Sequence, residues 1–486
     1  MKIVCIMAVI VCMLLFGPVQ GALAQMVTAA EARAVAEDWI DLVVYNEGDW
    51  GDEQFAWVGS TQELMRGDRV LGYFCQVEPQ GYIIVSLRRE LAPIKVHSQT
   101  CDLDPASDEG MMDLIKYQME RILIGIEQEL GPIDSVRPDD LREFLYIDYT
   151  SAWEELESGV RINYQEGDIL LDTVWNQGTP YNDQCPNLGC AWPPCNYNTD
   201  ALVGCVALGA AQVMRHWNWP PYGSGTGFTD TYDWPNMPDV FPECTAPPAV
   251  WDATEVAAVA ELCAEAGDAC GMSYGCASSG SMTSNWVDAY PDHFYYSTNA
   301  RQEDRDSYAD PVDWFNLLKA QFNLNRPVNM GIPGHSLVVD GWQEIGGGPT
   351  RQYHMNYGYF DPGSNAWYTL DAHPGHSFGY DYVVLDVYPA TALGMWVTGS
   401  YPRTLGLNHR YFDRDCTGTG GGATFAAGQS LQMLHDVKVT GTAASPVTFS
   451  GTPTYNTLIF SRGDRDVGIK IVDGGVRLSG ASIRFH

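Results

Sequence analysis

Apolar and polar residues along the N-terminal third predict a helix, several strands and a second helix. Apolar side chains recur at helical spacing between residues 27 and 50, which is typical of an amphipathic helix. A second helix is predicted over residues 111–130 because Gly131 and Pro132 stop it. Between the two helices, runs rich in β-branched and aromatic residues predict strands at 72–74, 81–86 and 94–97, the first two forming a hairpin.

The next segments predict a junction followed by a mixed domain. Residues 133–165 are acidic and lack a sustained apolar period, which indicates an exposed connection. An apolar helix is predicted from Cys205 to the Pro220-Pro221 pair, and another over residues 255–266. Helices followed by antiparallel strands indicate an α+β fold rather than alternating βα units. The strands are predicted at 328–330, 337–342, 353–357, 367–370 and 381–387.

The last hundred residues have a different character. From residue 390 onward acidic residues become rarer and Gly, Thr and Ser increase, with short strand-like runs between them. This pattern predicts a small all-β module, either a sandwich or a solenoid, with an attachment or sorting role or a stabilising one. The runs lie at 437–439, 447–449, 457–460, 469–471, 476–478 and 483–485.

The first residues predict export from the cell. Lys2, an apolar stretch at 3–16 and Ala22-Leu23-Ala24 have the order of a secretory signal peptide with its cleavage site. No later run of about 18 apolar residues follows, so we expect no membrane span. The predicted location is therefore secreted or cell-surface.

Charge and cysteines narrow the function. A net charge of −34 and a pI of about 4.4 argue against nucleic acid and anionic lipid as partners. Of the thirteen cysteines, Cys5 and Cys12 fall in the signal, and setting Cys205 aside leaves ten. That even number predicts up to five disulfides, with Cys75–Cys101 as a local pair. The cysteine spacings do not fit common zinc sites, so no metal and no cofactor is expected.

Cys205, His335 and Asn356 carry the candidate chemistry. Cys205 follows a glycine at the start of the apolar helix, where unpaired N–H groups favour a thiolate. His335 and Asn356 follow in the order expected for a papain-like triad. The Gly-rich turn at 346–349 folds their two strands into a hairpin, so their side chains are predicted to meet. His354 shares a strand face with Asn356 and is interpreted as structural support.

Four sequence blocks resemble the streptopain family of secreted, papain-like cysteine peptidases. They are NQGTPYN at 176–182, GCVALGAAQVM at 204–214, GHSLVVDG at 334–341 and HMN at 354–356. The similarity runs from about residue 172 to 389, and a weaker one to the family's inhibitory propeptide covers roughly 29–131. Two departures stand out. Tyr357 stands where the family usually has a tryptophan, directly after the asparagine. A cysteine-rich insert spans 185–195.

The resemblance implies a division of the chain and a role for each site residue. The predicted parts are a signal peptide at 1–24, an inhibitory propeptide at 25–150, a papain-like domain at 151–390 and the β-rich module at 391–486.

In the implied reaction, Cys205 is the nucleophile and His335 the acid and base, Asn356 orients the imidazole, and Gln177 donates to the oxyanion. The implied protein is a zymogen of a cysteine endopeptidase. Its partners are polypeptide substrates and its own propeptide. An acyl transferase and a catalytically silent binding relative remain as alternatives.

Overall fold

The computed structural model describes most of the chain up to Pro389, and after it the strand backbones between 404 and 485. The described ranges are 26–159, 164–193, 195–220, 222–244, 251–345, 350–359, 365–369 and 381–389. The predicted signal peptide and the turn at 346–349 lie outside them. Within these ranges, no helix is both long enough and apolar enough to cross a membrane.

Eight α-helices occur in the described residues. They are α1 (Ala29–Glu47), α2 (Gly110–Leu130), α3 (Pro138–Phe144), α4 (Thr150–Glu157), α5 (Cys205–Trp217), α6 (Ala253–Ala269), α7 (Trp286–Phe294) and α8 (Pro311–Phe322). The predictions of α1, α2, α5 and α6 are confirmed. α3 and α4 lie in the segment that was expected to be irregular. They were missed because each helix is too short to show an apolar period. α7 and α8 were not predicted.

The described strands between Trp57 and Leu385 form one eleven-stranded sheet. They are β1 (Trp57–Arg66), β2 (Arg69–Glu78), β3 (Tyr82–Ser86), β4 (Ile94–Ser98), β5 (Tyr164–Glu166), β6 (Arg301–Asp304), β7 (Val328–Ile332), β8 (His335–Ile345), β9 (Arg351–Asn356), β10 (Asn365–Thr369) and β11 (Tyr382–Leu385). The order is β1-β2-β3-β4-β10-β9-β8-β7-β11-β6, with β5 paired to β8. All these pairs are antiparallel, which confirms the α+β class.

The sheet joins two halves at a single strand pair. β1–β4 with α1–α4 form the N-terminal half. β5–β11 with α5–α8 form the half that carries the predicted catalytic residues, and we call it the catalytic half. β4 pairs with β10 through His97 opposite Trp367 and Val96 opposite Tyr368. α4 belongs to the N-terminal half, because Trp153 donates its indole N–H to Leu91 and Glu157 pairs with Arg89. We call the β4–β10 contact the seam.

The catalytic half has two different faces. Val338 and Val384 pack into a core with α5, α6 and α7. Leu337 and Val339, the neighbours of Val338 on β8, pack instead into the core shared with α8 and the N-terminal half. This alternation follows from the two-residue repeat of a strand. The alternation along β8 and β9 determines the face of the sheet on which each side chain of these strands lies.

Cysteine pairing differs from the expectation. Two disulfides are present in the described residues, Cys190–Cys276 and Cys195–Cys244. They tie the cysteine-rich insert to distant segments. The predicted Cys75–Cys101 bond is wrong, since both residues are buried as thiols and not as a disulfide. Cys75 lies on β2 with its sulfur against Ala32 of α1, whereas the Cys101 sulfur contacts the carbonyl of Asp102.

The C-terminal strands form a solenoid rather than a sandwich. Eleven short strands, β12–β22, lie between Thr404 and Phe485 and pair in parallel in three sheets. Each sheet takes every third strand, so the backbone coils and stacks on itself. The six predicted strands of this module are confirmed.

Candidate active site

Cys205 is the first residue of α5. Gly204 precedes it with φ 86°, and a Cβ atom there would lie 2.7 Å from the Met272 sulfur, so only glycine fits this entry to the helix. The Cys205 Sγ accepts a hydrogen bond from Ser336 N at 3.3 Å. That N–H belongs to the residue after His335, so β8 and the start of α5 meet at the sulfur.

The electrostatics of Cys205 differ from the simple helix-terminus expectation. Cys205 is partly exposed, yet its sulfur is closely surrounded by protein, and this burial raises its pKa above the ordinary value. The backbone N–H groups of Ser336, Val206 and Cys205 itself act in the opposite direction. The thiol is therefore protonated near neutral pH in this state of the chain.

His335 is held by a backbone carbonyl. Its Nε2 lies 2.8 Å from the oxygen of Tyr357. Because a carbonyl oxygen only accepts, Nε2 carries the proton and Nδ1 has the free lone pair. Burial lowers the pKa of His335 to about 4, with the Tyr357 bond opposing it. The ring stacks on Tyr359 at 5.0 Å and lies parallel to Tyr357 at 6.4 Å.

The hydrogen bonds of Asn356 and of His335 go to other partners and not to each other. The Asn356 Nδ2 donates to Thr173 O at 2.8 Å and to Gln212 Oε1 at 3.1 Å. Its Oδ1 accepts from Gly358 N at 3.1 Å and from Gln212 Nε2 at 3.3 Å. Asn356 thus fixes both sides of Tyr357, whose carbonyl holds the imidazole.

Strand alternation explains this difference from the predicted contact. Asn356 pairs with Val338, so its side chain lies on the α5 face. His335, the first residue of β8, is three residues before Val338 in unbroken register with β7, so it is not in the row of side chains that contains Asn356. The hairpin was predicted, but its register was not.

Gln177 lies beside the nucleophile. Its carbonyl accepts the Val203 N–H at 2.9 Å, two residues before Cys205. Asn176 fixes the turn by accepting Gly178 N at 2.9 Å. The Gln177 side chain is half-buried.

Other residues that shape the site were not singled out in the sequence. Gln212 lies two turns after Cys205 on α5, and its Oε1 also accepts Trp175 N at 3.2 Å. His354 donates from Nδ1 to Asp340 Oδ1 at 2.6 Å, and Asp340 also accepts Leu171 N at 3.0 Å. His354 therefore supports the strands, as interpreted. Gln212 lies in the 204–214 block that resembles the streptopain family, but the sequence analysis gave it no role.

The N-terminal half reaches this site. Tyr359, which stacks on His335, packs against the core shared with the N-terminal half. The Cys205 thiol and Asp113 of α2 both act electrostatically on the Tyr359 hydroxyl, whose pKa burial raises to about 12. The aromatic stack thus connects α2 with the two reactive groups.

Comparison with known proteins identifies the catalytic half. Residues 175–368, which span Gln177, Cys205, His335 and Asn356, match the model of the Peptidase C10 family. Within these residues the chain is similar to cysteine-type peptidases, and the resemblance to the streptopain family is confirmed.

Individual relatives agree with the C10 assignment. The thiol protease/hemagglutinin PrtT of Porphyromonas gingivalis is 24% identical over 380 residues, covering 72% of this chain and 40% of the relative. The chain thus spans less than half of PrtT. Streptopain of Streptococcus pyogenes is 26% identical over 330 residues, covering 62% of this chain and 74% of the relative.

A solved structure supports the fold. A fragment of prointerpain A from Prevotella intermedia aligns with a TM-score of 0.50 and 20% identity, covering 68% of this chain and 98% of the fragment. At this identity the likeness establishes the fold alone. It agrees with the mixed architecture of the N-terminal and catalytic halves.

Proposed function

We propose that this chain is a secreted cysteine endopeptidase made as a zymogen. The main support is the meeting of Cys205 at the start of α5 with the His335-Ser336 end of β8, beside the Gln177 turn. A thiol nucleophile, a base and a side-chain amide are the groups that acyl transfer through a thioester requires.

In the proposed reaction, His335 Nδ1 takes the thiol proton. The sulfur then attacks the scissile carbonyl, and the amide of Gln177 with the Cys205 N–H stabilises the oxyanion. The imidazolium returns the proton to the leaving amine, and water hydrolyses the thioester with the same base.

Asn356 acts as a positioning residue in this proposal. It holds the segment whose Tyr357 carbonyl accepts the imidazole N–H. This differs from a direct triad hydrogen bond, but it performs the same task of fixing the tautomer and the ring orientation.

The latent state is proposed from the neutral thiol and imidazole. Burial raises the pKa of one and lowers the pKa of the other, so the reactive ion pair is disfavoured while the N-terminal half is docked. We propose that residues from the signal cleavage site to the junction near 159 act as the inhibitory propeptide, and that the solenoid is an accessory module.

The test is casein hydrolysis under mild reductant by the wild type and by Cys205→Ser, with chain mass followed over time. We expect proteolysis and loss of the first 130–170 residues in the wild type only. Casein cleavage by Cys205→Ser would refute the nucleophile. A wild-type chain cut by an added protease that still leaves casein intact would favour a binding protein. Transfer of casein acyl groups to an added amine, in place of hydrolysis, would favour the acyl transferase.

A further inference from the structure

A polar cavity of about 690 Å³ lies beside the seam and is lined by both halves. Glu47 at the end of α1 and Ser98 at the end of β4 line it from the N-terminal half. His354 of β9 and Trp367 of β10 line it from the catalytic half. Its volume falls within the roughly 300–1,000 Å³ of small-molecule pockets, so it has room for an organic ligand.

Three exposed carboxylates line the outer part of the cavity, and we call them the rim carboxylates. Glu47 comes from the N-terminal half, whereas Glu166 and Asp168 belong to β5 and the turn after it. Burial raises the pKa of Glu166, and the charges of Glu47 and Asp168 raise it further. Both are therefore close enough to Glu166 to repel it, and a positively charged ligand would relieve this repulsion.

His354 provides a buried hydrogen-bond acceptor in the same cavity. The residue is only 7% exposed. Its Nδ1 donates to Asp340 Oδ1 at 2.6 Å, so Nε2 carries the lone pair of the neutral imidazole. No hydrogen bond joins this Nε2 to any residue that the structure describes. A ligand that donates a hydrogen bond would satisfy it.

The neighbouring polar side chains do not supply that donor. Ser98 donates its hydroxyl to Asn365 O at 2.9 Å, and Gln99 donates its amide to Glu47 Oε2 at 2.8 Å. Asn365 also lines the cavity, and its buried Oδ1 has no hydrogen-bond partner among the described residues. The unsatisfied groups of this region are therefore acceptors, which a cation with N–H groups can match.

The remaining lining favours an organic cation over a metal ion. Trp367 packs edge to face with His354 at 5.2 Å, and indole rings attract cations. Ile169 adds apolar surface and is 42% exposed. Across the part of the chain that the structure describes, no group of three or more His, Cys, Asp and Glu side chains could hold a metal ion.

We propose that this cavity binds a small organic cation that carries ammonium groups on a short alkyl chain. The ammonium groups pair with the rim carboxylates and donate to His354 Nε2, while the alkyl chain lies against Ile169 and Trp367. Because such a ligand contacts both halves, it also stabilises the seam. The site does not depend on the proposed peptidase function, whereas any effect of the ligand on self-activation does.

Binding is measured by isothermal titration calorimetry of putrescine into full-length Cys205→Ala at constant ionic strength. The rim variant adds Glu166→Gln and Asp168→Asn. Its matched control instead adds Glu63→Gln and Asp68→Asn, which change an exposed Glu and an exposed Asp of the β1–β2 hairpin outside the cavity. Both variants lose two negative charges, so they differ only in where the charges are removed.

We expect saturable binding that is at least about tenfold weaker in the rim variant, because charge-assisted hydrogen bonds are lost. The control should bind within about twofold of the parent protein. An acetylated, amidated lysine dipeptide offers the same ammonium groups, and tighter binding of this peptide than of putrescine would place the cation on a polypeptide. Equal weakening in both variants, no binding of either compound, or displacement by Mg²⁺ at equal charge would overturn the site.

Amide hydrogen exchange of β4 and β10 in Cys205→Ala tests the contact with both halves. At ten times Kd, a ligand that binds only the docked halves should slow exchange through seam opening about tenfold. Unchanged exchange despite binding would overturn this contact. Neither measurement needs peptidase activity. An inactive wild type would therefore refute the proposed function and leave the site intact, whereas an active wild type without binding would refute the site alone.

Discussion

The two halves of the eleven-stranded sheet are built in different ways. In the N-terminal half, β1 to β4 lie side by side in chain order, so each strand pairs with its neighbour in sequence. In the catalytic half the order is β10-β9-β8-β7-β11-β6, and β6 reaches its partner β11 across more than seventy residues. Strand pairing in the first half is local, while pairing in the second half is long-range.

The contacts between the two halves bear on the proposal that the N-terminal half inhibits the catalytic half. Strands of the two halves pair at two positions of the seam, but the halves also share a buried core and side-chain hydrogen bonds such as Lys95 Nζ to Thr369 O at 3.1 Å. The N-terminal half contributes to the burial of Tyr359 above His335. Its release would expose this shared core, whereas the pairing of β8 with β7 and β9 lies entirely within the other half.

The largest effect is expected from an amide of the catalytic half. Gln177→Ala removes one oxyanion donor and should reduce kcat by about 100- to 1,000-fold with a small change in KM. Its matched control is Gln80→Ala in the N-terminal half, where the amide donates only to Thr100 O. Steady-state kinetics on casein-derived peptides measure both. Equal losses in the two variants would contradict the assignment of Gln177.

The second largest effect is expected from separation of the two halves. A specific protease site inserted after Gly159 allows the N-terminal half to be released on demand. We expect release to raise the initial rate about a hundredfold, because shifting a chain from mostly closed to mostly open changes the active fraction by that factor. The measurement is the initial rate before and after addition of the specific protease.

The same insertion in Cys205→Ala reports cleavage without activity. If the rate before release already equals the rate after it, the N-terminal half is not an inhibitor.

The seam should respond to acid through His97. Burial lowers the pKa of His97 to about 3, and the nearby His354 adds to this. Both ring nitrogens of His97 lack a hydrogen-bond partner, and Trp39 and Trp50 pack around the ring. Since the folded pKa of His97 is below the usual 6.5, the contribution of His97 to docking is constant above about pH 6.5 and weakens as pH falls towards 3. At pH 5 the loss is about 2 kcal/mol.

Hydrogen exchange of β4 and β10 amides in Cys205→Ala, at pH 7.5 and pH 5, measures this loss. His97→Phe should remove most of the difference. Lys95 cannot produce the same weakening of docking at acidic pH. Burial lowers its pKa to about 7, so its contribution changes between about pH 7 and 10.5. An unchanged acid response in His97→Phe would assign it to other groups, such as His335 with its lowered pKa.

The smallest effect is expected from a single seam hydrogen bond. Ser98 donates its hydroxyl to Asn365 O at 2.9 Å across the seam. Ser98→Ala should weaken docking by about 1 kcal/mol and speed self-activation a few-fold at neutral pH. Ser60→Ala on the exposed edge strand β1 is the control. A faster activation in both variants would indicate a general loss of stability rather than a seam effect.

Sequence reasoning succeeded where structure is local. The capping box between Thr28 and Glu31 and the Gly48 end of α1 are short-range, and the helix was predicted almost to its bounds. β2, β3 and β4 were found for the same reason. β1 was missed because most of its residues face solvent and show no apolar alternation.

The site was predictable in its residues but not in its contacts. Gly204-Cys205 and Gly334-His335 stand out in the sequence because each combines a reactive side chain with a glycine of positive φ. The roles of Tyr357, Gln212 and Ser336 depend on backbone atoms and buried amides that have no sequence signature.

The sequence by itself determined the local helices and strands, the helix that begins at Cys205 and the family that the chain resembles, because these follow from neighbouring residues. Only the tertiary structure decided three other features. They are the partner of His335, the pairing of Cys190 and Cys195, and the meeting of β4 with β10. Each joins positions far apart in the chain, and such contacts are selected by packing and strand register, which no short stretch of sequence encodes.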